Sequence, residues 1–382
     1  MQNDSFLYKF YYQWWKNIDK SIFLIITLLF IIGLFFSLVS TSLIASDKLD
    51  TNSYFFFFKH LIYICIGIFI IFVFSSINTE QLFRYSIIFF FVALISLFLV
   101  PIIGIEVKGS KRWIDLFSLP RFQPIEVLKP FLIIMLATIL CNNKNSNLYI
   151  KYILSVILIS IITLLLIMQP DIGQTLLVVF SWAVLIFTSG INIFFLFGFS
   201  LFVLSLLAYL IIYVPKFDYI QGRIFSFFNR DIGAHNFQSD KAIESITSGG
   251  FFGKGIGEGI LKNRVPEAHT DYIISVISEE FGVVAIILIL ILFLTLIYMV
   301  FKRINYEKNE KIKLVLIGCV SLILMQATIH VGVNIRLFPT TGMTLPFLSY
   351  GGSSIVSVSI LSGIILNLTK RKINHQRGRK KF

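Results

Sequence analysis

Charge is scarce in this sequence. Asp, Glu, Lys and Arg make up 14% of its 382 residues, against 57% hydrophobic residues and a mean hydropathy of +0.85. A soluble chain of that length needs far more polar surface to cover its core, so a soluble globular domain is excluded and a lipid-facing surface is implied. Cysteine is scarce too, with three residues in all. Cys65 and Cys319 lie inside apolar runs and Cys141 at the end of one, far apart and without ligand spacing, which excludes a disulfide framework and a cysteine metal centre. Acidic residues are outnumbered 20 to 33 by Lys and Arg, giving +13. In a soluble protein that balance suggests nucleic acid. Here the apolar runs hold almost none of it and no RNA-binding signature is present, so no nucleic-acid partner is expected. The basic residues sit in loops and tails, where their partners are membrane lipid headgroups and an anionic substrate. No small-residue cleavage site follows the first apolar stretch. That stretch comes after Lys16 and Lys20, is too long for a signal peptide and is expected to stay in the mature protein.

What is abundant is the long apolar run. Runs of about 20 residues, enough to cross roughly 30 Å of hydrocarbon, read as membrane-spanning helices. They fall near 21–43, 58–76, 85–104, 124–141, 149–168, 171–190, 192–214, 272–301, 312–334 and 346–368. The expected fold is therefore an all-α polytopic membrane protein of about ten transmembrane helices, a single membrane domain over 1–382. Between the fifth and sixth runs only Gln169-Pro170-Asp171 intervenes. Proline removes a backbone donor and stops one helix, and Asp171 can cap the next.

Ten crossings put both termini on one face, and the charges say which. The 369–382 tail carries Lys370, Arg371, Lys372, Arg377, Arg379, Lys380 and Lys381. Lys302, Arg303, Lys308, Lys311 and Lys313 crowd the 302–313 loop, and Lys9, Lys16 and Lys20 the 1–20 N-terminus. That shared side is expected to be cytoplasmic by the positive-inside rule, with Tyr11, Tyr12, Trp14 and Trp15 as an interfacial aromatic belt. Two segments break the pattern. The short 105–123 loop holds Lys108, Lys111, Arg112 and Arg121 on the side that should be poor in cations. These cations either have an anionic ligand or belong to a solvated loop that pairs with Asp115 and Glu106. The 215–271 loop is expected on that same extracytoplasmic side and holds Lys216, Arg223, Arg230, Lys241, Lys254, Lys262 and Arg264; a long loop crosses largely regardless of charge.

The 215–271 loop is too long for a plain connector. It mixes Phe225, Phe227, Phe228 and Phe237 with charges, then places six glycines within the twelve residues from Ser248 to Gly259. Such density lets a backbone approach a ligand and present amides to an anion, or makes a flexible lid. Lys254 lacks the spacing of a Walker sequence. Next comes Pro266-Glu-Ala-His-Thr-Asp271, leading into a helix. A carboxylate there, beside the His269 imidazole and a basic loop, is a candidate general base; the bland alternative is that Asp271 merely caps the helix. Glu126 and Lys129, three apart on one helical face, can neutralise each other. Glu279 and Glu280 lie about two turns into the eighth run, and at least one must face protein or water. Gln326, His330 and Asn334 repeat every four residues as a polar stripe, read as structural glue, with His330 a hydrogen-bonded packing residue. Phe338 to Ser354 holds two prolines, three glycines and six Ser or Thr hydroxyls, an irregular, re-entrant-like approach to the last helix. Such backbone is tolerated at membrane depth only where it is buried or lines a cavity, and that cavity should lie near Asp271 on the outward side.

Five segments then converge in order: Lys108-Gly-Ser-Lys-Arg-Trp-Ile114, Gln123-Pro-Ile-Glu126 with Lys129, Gln169-Pro-Asp-Ile-Gly173, Pro266-Glu-Ala-His-Thr-Asp271 and Pro346-Phe-Leu-Ser-Tyr-Gly-Gly-Ser-Ser354. Together they resemble the SEDS family of shape, elongation, division and sporulation proteins, over the whole chain. Thr340-Thr-Gly-Met-Thr-Leu-Pro346, Pro-Glu-Ala before His269, and Trp14-Trp15 are most similar to its division branch, while Thr341 and Arg336 depart from residues common there. The resemblance implies a peptidoglycan glycosyltransferase of the bacterial inner membrane that polymerises lipid II into glycan strands at the septum. It also implies a class B penicillin-binding transpeptidase and other division proteins as partners. Asp271 matches the family's proposed catalytic aspartate, and Trp113, Arg121, Glu126 and Lys129 fall on positions linked to activity or cavity structure. His269 and Ser353 join them as candidate substrate contacts. In the mechanism this suggests, Asp271 takes the proton of the acceptor hydroxyl while Lys111, Arg112 and Arg121 stabilise the departing diphosphate. No cofactor is called for; a divalent cation could share the cations' role, though no ligand cluster marks a metal site. The rival readings are a lipid II flippase, which needs polar groups through the whole membrane depth, an elongation-type polymerase, and a structural scaffold.

Overall fold

The computed structural model describes residues 6–48, 54–107, 110–115, 121–141, 148–191, 193–228, 237–261 and 265–370. Lys108, Arg230, Lys262, Arg264 and the tail from Arg371 onward, all among the expected basic groups, lie outside the described residues. Each apolar run is helical over most of its described length. A short helix α1 (Phe6–Asn17) precedes α2 (Lys20–Lys48), α3 (Phe55–Ser76) and α4 (Thr79–Ile103). A two-stranded antiparallel hairpin, β1 (Ile105–Val107) and β2 (Ser110–Trp113), leads to α5 (Pro124–Leu140), α6 (Leu148–Met168), α7 (Ile172–Thr188) and α8 (Ile193–Tyr213). After a 3-10 turn at Pro215–Phe217 come α9 (Asp218–Phe228), α10 (Phe237–Gly249), α11 (Ile273–Tyr306), α12 (Glu310–Asn334) and α13 (Gly352–Leu368).

The result is an all-α polytopic membrane protein, with six helices (α2, α3, α4, α6, α11 and α12) long and apolar enough to cross a bilayer. Outward-facing Phe69, Ile95 and Phe197 keep their rings and branches exposed, as a lipid-facing surface requires. The centre is different. Helices α5, α7 and α13 have 17 residues each and are largely buried, α13 being covered from Ser353 to Leu368 except at Val356. Helix α13 is short because it begins at a non-helical segment enclosed by protein rather than lipid, where irregular backbone is tolerated. The segment before α13 shows this directly: Met343, Leu345, Phe347, Leu348 and Ser349 are buried, and Phe347 packs edge-on against Phe30 and closely on Phe293.

At the end of the bundle where α1 lies, Trp14 is buried and its indole Nε1 donates to Ser75 Oγ at 2.8 Å. Arg303 pairs with the buried Asp19, and Lys370 donates to the Ile77 carbonyl at 3.0 Å. Burial pulls the Lys370 ammonium down to about 8.

The glycine-rich segment has a structural role that its composition did not reveal. Helix α11 breaks at Gly282, whose φ of 75° and ψ of −177° suit glycine alone. The segment before it zips onto the exposed backbone. Lys254 N donates to Glu279 O at 2.9 Å and Gly255 N to Glu280 O at 3.0 Å, while Val283 N and Val284 N return bonds to Gly250 O and Phe251 O at 3.0 and 3.2 Å. A Cβ at Gly253 would lie 2.1 Å from Glu280 O, and one at Gly282 2.1 Å from Phe251 O. Glycine is needed because two backbones touch, so the expectation of an anion cradle or a lid is corrected to a docking clasp. Both acidic residues join it: Glu279 accepts from Leu261 N and Ser245 Oγ, each at 2.9 Å, and Glu280 from Gly257 N at 3.3 Å. Gly282→Ala is expected to cost at least about 2 kcal/mol from forced backbone strain alone. It should lower the thermal midpoint in detergent and speed amide exchange over 250–261; an unchanged exchange pattern would refute the clasp.

Candidate active site

One end of the bundle gathers the β1–β2 hairpin, the starts of α3, α5, α7 and α13, the end of α12 and the run of turns before α11. Between them lies a polar cavity of about 790 Å³. Of the sequence-predicted residues, Arg112, Trp113, Arg121, Glu126, His269, Asp271 and Ser353 line it. Lys111 and Lys129 do not. Lys111 is exposed on β2 opposite Glu106, and Lys129 is buried beneath the cavity floor.

Asp271 does not cap α11. Tyr272 takes the N-cap position and makes no side-chain cap hydrogen bond. The carboxylate instead faces Gly342, where an added Cβ would lie 3.6 Å from its Oδ2. Its backbone is fixed from two sides. Asn334 Nδ2 donates to Asp271 O at 3.1 Å, and Asp271 N donates to Glu267 O at 3.1 Å, with Glu267 held at a positive φ of 54°. The adjoining Thr270 carbonyl accepts from Ser349 Oγ at 2.7 Å, and the His269 carbonyl from Tyr350 N at 3.0 Å. The His269 ring packs against Phe56 and Tyr350 at centroid distances of 5.2 and 5.7 Å.

The polar stripe of α12 is more than glue between helices, because each member holds a wall of the cavity. Gln326 Nε2 donates to Thr344 O at 3.0 Å, His330 Nδ1 meets Met343 O at 2.7 Å, and Asn334 holds Asp271. Below them Lys129 Nζ donates to Glu126 Oε1 at 2.9 Å, as the spacing predicts, and to Gln326 Oε1 at 3.2 Å. Glu126 Oε1 also accepts from Gln174 Nε2 at 2.6 Å.

The cations of the 105–123 loop are more engaged than the sequence suggested. Arg112 reaches the α6–α7 turn, donating to Gln169 O at 3.4 Å and to Pro170 O, with Asp171 Oδ1 3.6 Å away. Arg121 sits at the rim with Asp115 Oδ2 at 3.3 Å. Sequence reasoning took Asp171 only as a helix cap, which it is, accepting from Gln174 N at 3.3 Å. It is also a buried hub that accepts from Gln123 Nε2 at 3.0 Å and lines the cavity. Lys59 and Tyr63 of α3 line it too; they stand in an apolar run whose sequence carries no local sign of a site.

A second, apolar pocket of about 310 Å³ lies between α7, α8 and α12, lined by Leu176, Phe180, Leu204, Met325 and Ile329. Arg112, Thr340 and Thr341 border both spaces, so the polar cavity and the apolar pocket meet there.

Comparisons agree with this architecture. The cell cycle protein family that groups FtsW, RodA and SpoVE matches residues 19–374. A probable peptidoglycan glycosyltransferase FtsW of Nitrosomonas europaea is 32% identical over 363 residues, covering 92% of each chain. Its counterpart from Caulobacter vibrioides is 29% identical over 362 residues, covering 94% of this chain and 91% of that one. The Thermus thermophilus rod shape determining protein RodA superposes with a TM-score of 0.67 at 25% identity, over 96% of this chain and 98% of that one. A chain from a peptidoglycan synthase complex, solved to show how polymerization and crosslinking are coordinated, shares the fold with a TM-score of 0.74 at 24% identity, over 92% and 97%. With the family matched along nearly its whole length and the fold shared from end to end, this chain belongs to the SEDS family of FtsW, RodA and SpoVE.

Proposed function

We propose that the chain is a peptidoglycan glycosyltransferase of the bacterial inner membrane that polymerises lipid II during septal wall synthesis. Ten helices (α2 to α8 and α11 to α13) cross the bilayer, both termini are cytoplasmic, and the 215–271 segment with the cavity faces outward. The observation that carries this reading is the junction at Arg112: a polar cavity containing Asp271 opens beside an apolar pocket between helices. An amphiphile with a large polar head and an isoprenoid tail fits that pair of spaces, head in the cavity and tail among α7, α8 and α12.

Asp271 takes the proton of the acceptor 4-hydroxyl as its oxygen attacks the donor anomeric carbon. The bond from that carbon to the diphosphate breaks, and the diphosphate leaves with the electron pair. Trp113, His269 and Ser353 border the path of the reacting sugars. Lys129 acts from beneath, holding Glu126 and Gln326. A flippase needs a polar route across the membrane, but Glu279, Glu280 and Gln326 are engaged in internal hydrogen bonds at or near the cavity end. That favours polymerisation. A class B penicillin-binding transpeptidase is the expected partner, consistent with the synthase complex that shares the fold. The test is strand synthesis from purified lipid II by the protein with its cognate transpeptidase. Glycan strands are expected; lipid II crossing liposomes without any strand would support the flippase instead.

A further inference from the structure

Polymerising lipid II brings two molecules into one cavity, each with its own diphosphate and isoprenoid tail, and the junction at Arg112 offers one head-and-tail seat. That seat suits the donor. The donor diphosphate hangs from the carbon under attack and must lie beside Asp271, whose carboxylate faces Gly342. Thr340 and Thr341, next along the chain, border the apolar pocket with Arg112. The acceptor reacts through the 4-hydroxyl of its outer sugar. Its diphosphate therefore stands a disaccharide away and needs a cation of its own.

Lys59 is placed for that task. It lines the cavity from α3, a helix that packs on α2 and α13, whereas Arg112 is tied to the α6–α7 turn. Its side chain bends back over the first turn of α3, with Nζ 4.2 Å from the centroid of the Phe55 ring. That turn holds no acidic residue, and the N-cap Tyr54 makes no side-chain cap bond, so the ammonium stands at the positive end of the helix dipole. On the proposed topology it also faces outward, where cations are disfavoured. Among the described residues no carboxylate pairs with it, and a ring contact at an exposed site is a weak substitute. An anion would relieve all of these costs. Tyr63, one turn further on, lines the cavity too, and its hydroxyl has no hydrogen-bond partner among the described residues. Beside this pair Ile62, Ile66 and Phe69 lie exposed along α3, so Lys59 heads an apolar stripe where the cavity wall meets lipid.

We propose that Lys59, with the Tyr63 hydroxyl beside it, binds the diphosphate of the acceptor lipid and sets that lipid's tail along α3, while the donor occupies the junction at Arg112. The assignment rests on the glycosyltransferase reading. Lys59 touches neither reacting atom. It fixes how far the acceptor sugars reach, so that the 4-hydroxyl meets Asp271 from the α3 side. An ammonium on a flexible stem suits this role, because the acceptor diphosphate keeps its charge and has only to be held.

Two lipid II analogues separate the roles. One carries galactose on its 4-hydroxyl and can only donate; the other has a methylene in place of the anomeric oxygen and can only accept. Together they allow a single transfer, followed by the mass of the product, in full-length protein with its cognate transpeptidase. Lys59→Met is expected to raise KM for the accepting analogue by at least about ten-fold and KM for the donating one by less than about two-fold. Lys59→Arg should restore most of the loss, and Tyr63→Phe should shift the same constant by a smaller factor. No change in Lys59→Met, equal rises, or a rise for the donor alone would overturn the subsite while leaving the polymerase reading intact. Farnesyl diphosphate, counted on the protein by native mass spectrometry, gives a readout that needs no turnover. Wild type should hold two copies and Lys59→Met one; equal counts would overturn the subsite. Absence of product from wild type would sink the polymerase reading, and the count would still decide whether Lys59 binds a lipid diphosphate. If Lys59→Met fails to fold, wild type decides, since a single bound copy overturns the subsite. Phosphatidylglycerol that displaces the second copy at equal concentration would assign Lys59 to an ordinary headgroup phosphate and overturn the diphosphate.

Discussion

Asp271→Asn is expected to reduce strand synthesis by about 10²–10⁴-fold, the usual contribution of a positioned general base. Asparagine keeps the shape of the side chain but cannot accept the hydroxyl proton. The backbone anchors stay, because Asn334 bonds the Asp271 carbonyl rather than its carboxylate. The loss should therefore fall on kcat, with little change in KM for lipid II and an unchanged thermal midpoint. The assay compares both proteins with the cognate transpeptidase present. A variant within ten-fold of wild type would remove Asp271 from the chemistry and turn attention to Glu126, another of the carboxylates that line the cavity, and one that pairs with Lys129.

Lys129→Met should be among the most destabilising single changes in the chain. Lys129 and Glu126 are 1% and 4% exposed, and their 2.9 Å contact is the buried neutralisation of both charges. Removing the ammonium leaves a carboxylate without its counter-ion and deprives Gln326 Oε1 of its donor. Breaking such a pair from one side typically costs about 3–5 kcal/mol, whereas replacing both partners by neutral groups costs much less. Thermal unfolding in detergent should thus fall sharply for Lys129→Met and recover substantially in the Glu126→Gln/Lys129→Met double variant. A double variant no more stable than the single would mean that Lys129 matters through packing or through Gln326, not through charge.

Much of the architecture is written locally. A run of about 20 apolar residues can only be covered by lipid or by other apolar helices, so each apolar helix could be located from its own stretch of chain. The ends differ by a few residues, except before α13, where Pro346 to Gly351 stay non-helical. Prolines, glycines and hydroxyls forecast that irregularity because they disfavour a helix wherever they stand. The Glu126–Lys129 pair was equally local, being set by helical spacing. Family motifs brought Asp271, His269 and Ser353 to one cavity because such motifs mark residues that meet in space whatever their distance along the chain.

Other features depended on what faces what, and no stretch of chain carries that information. Glycine spacing could not distinguish a ligand cradle from a clasp, since both need backbone without Cβ; only the break at Gly282 supplied the partner backbone. Nor could charge reveal that Arg112 is held by the carbonyls of a turn some sixty positions later, or that Asp171 is a cavity hub as well as a cap. The α12 stripe read as glue because its partners, Met343, Thr344 and the Asp271 carbonyl, come from other segments. Hydropathy and motif thus determined the membrane class, the apolar helices and the family. Tertiary contacts decided which charges are left to meet a ligand, because a group's availability depends on neighbours that only folding brings to it.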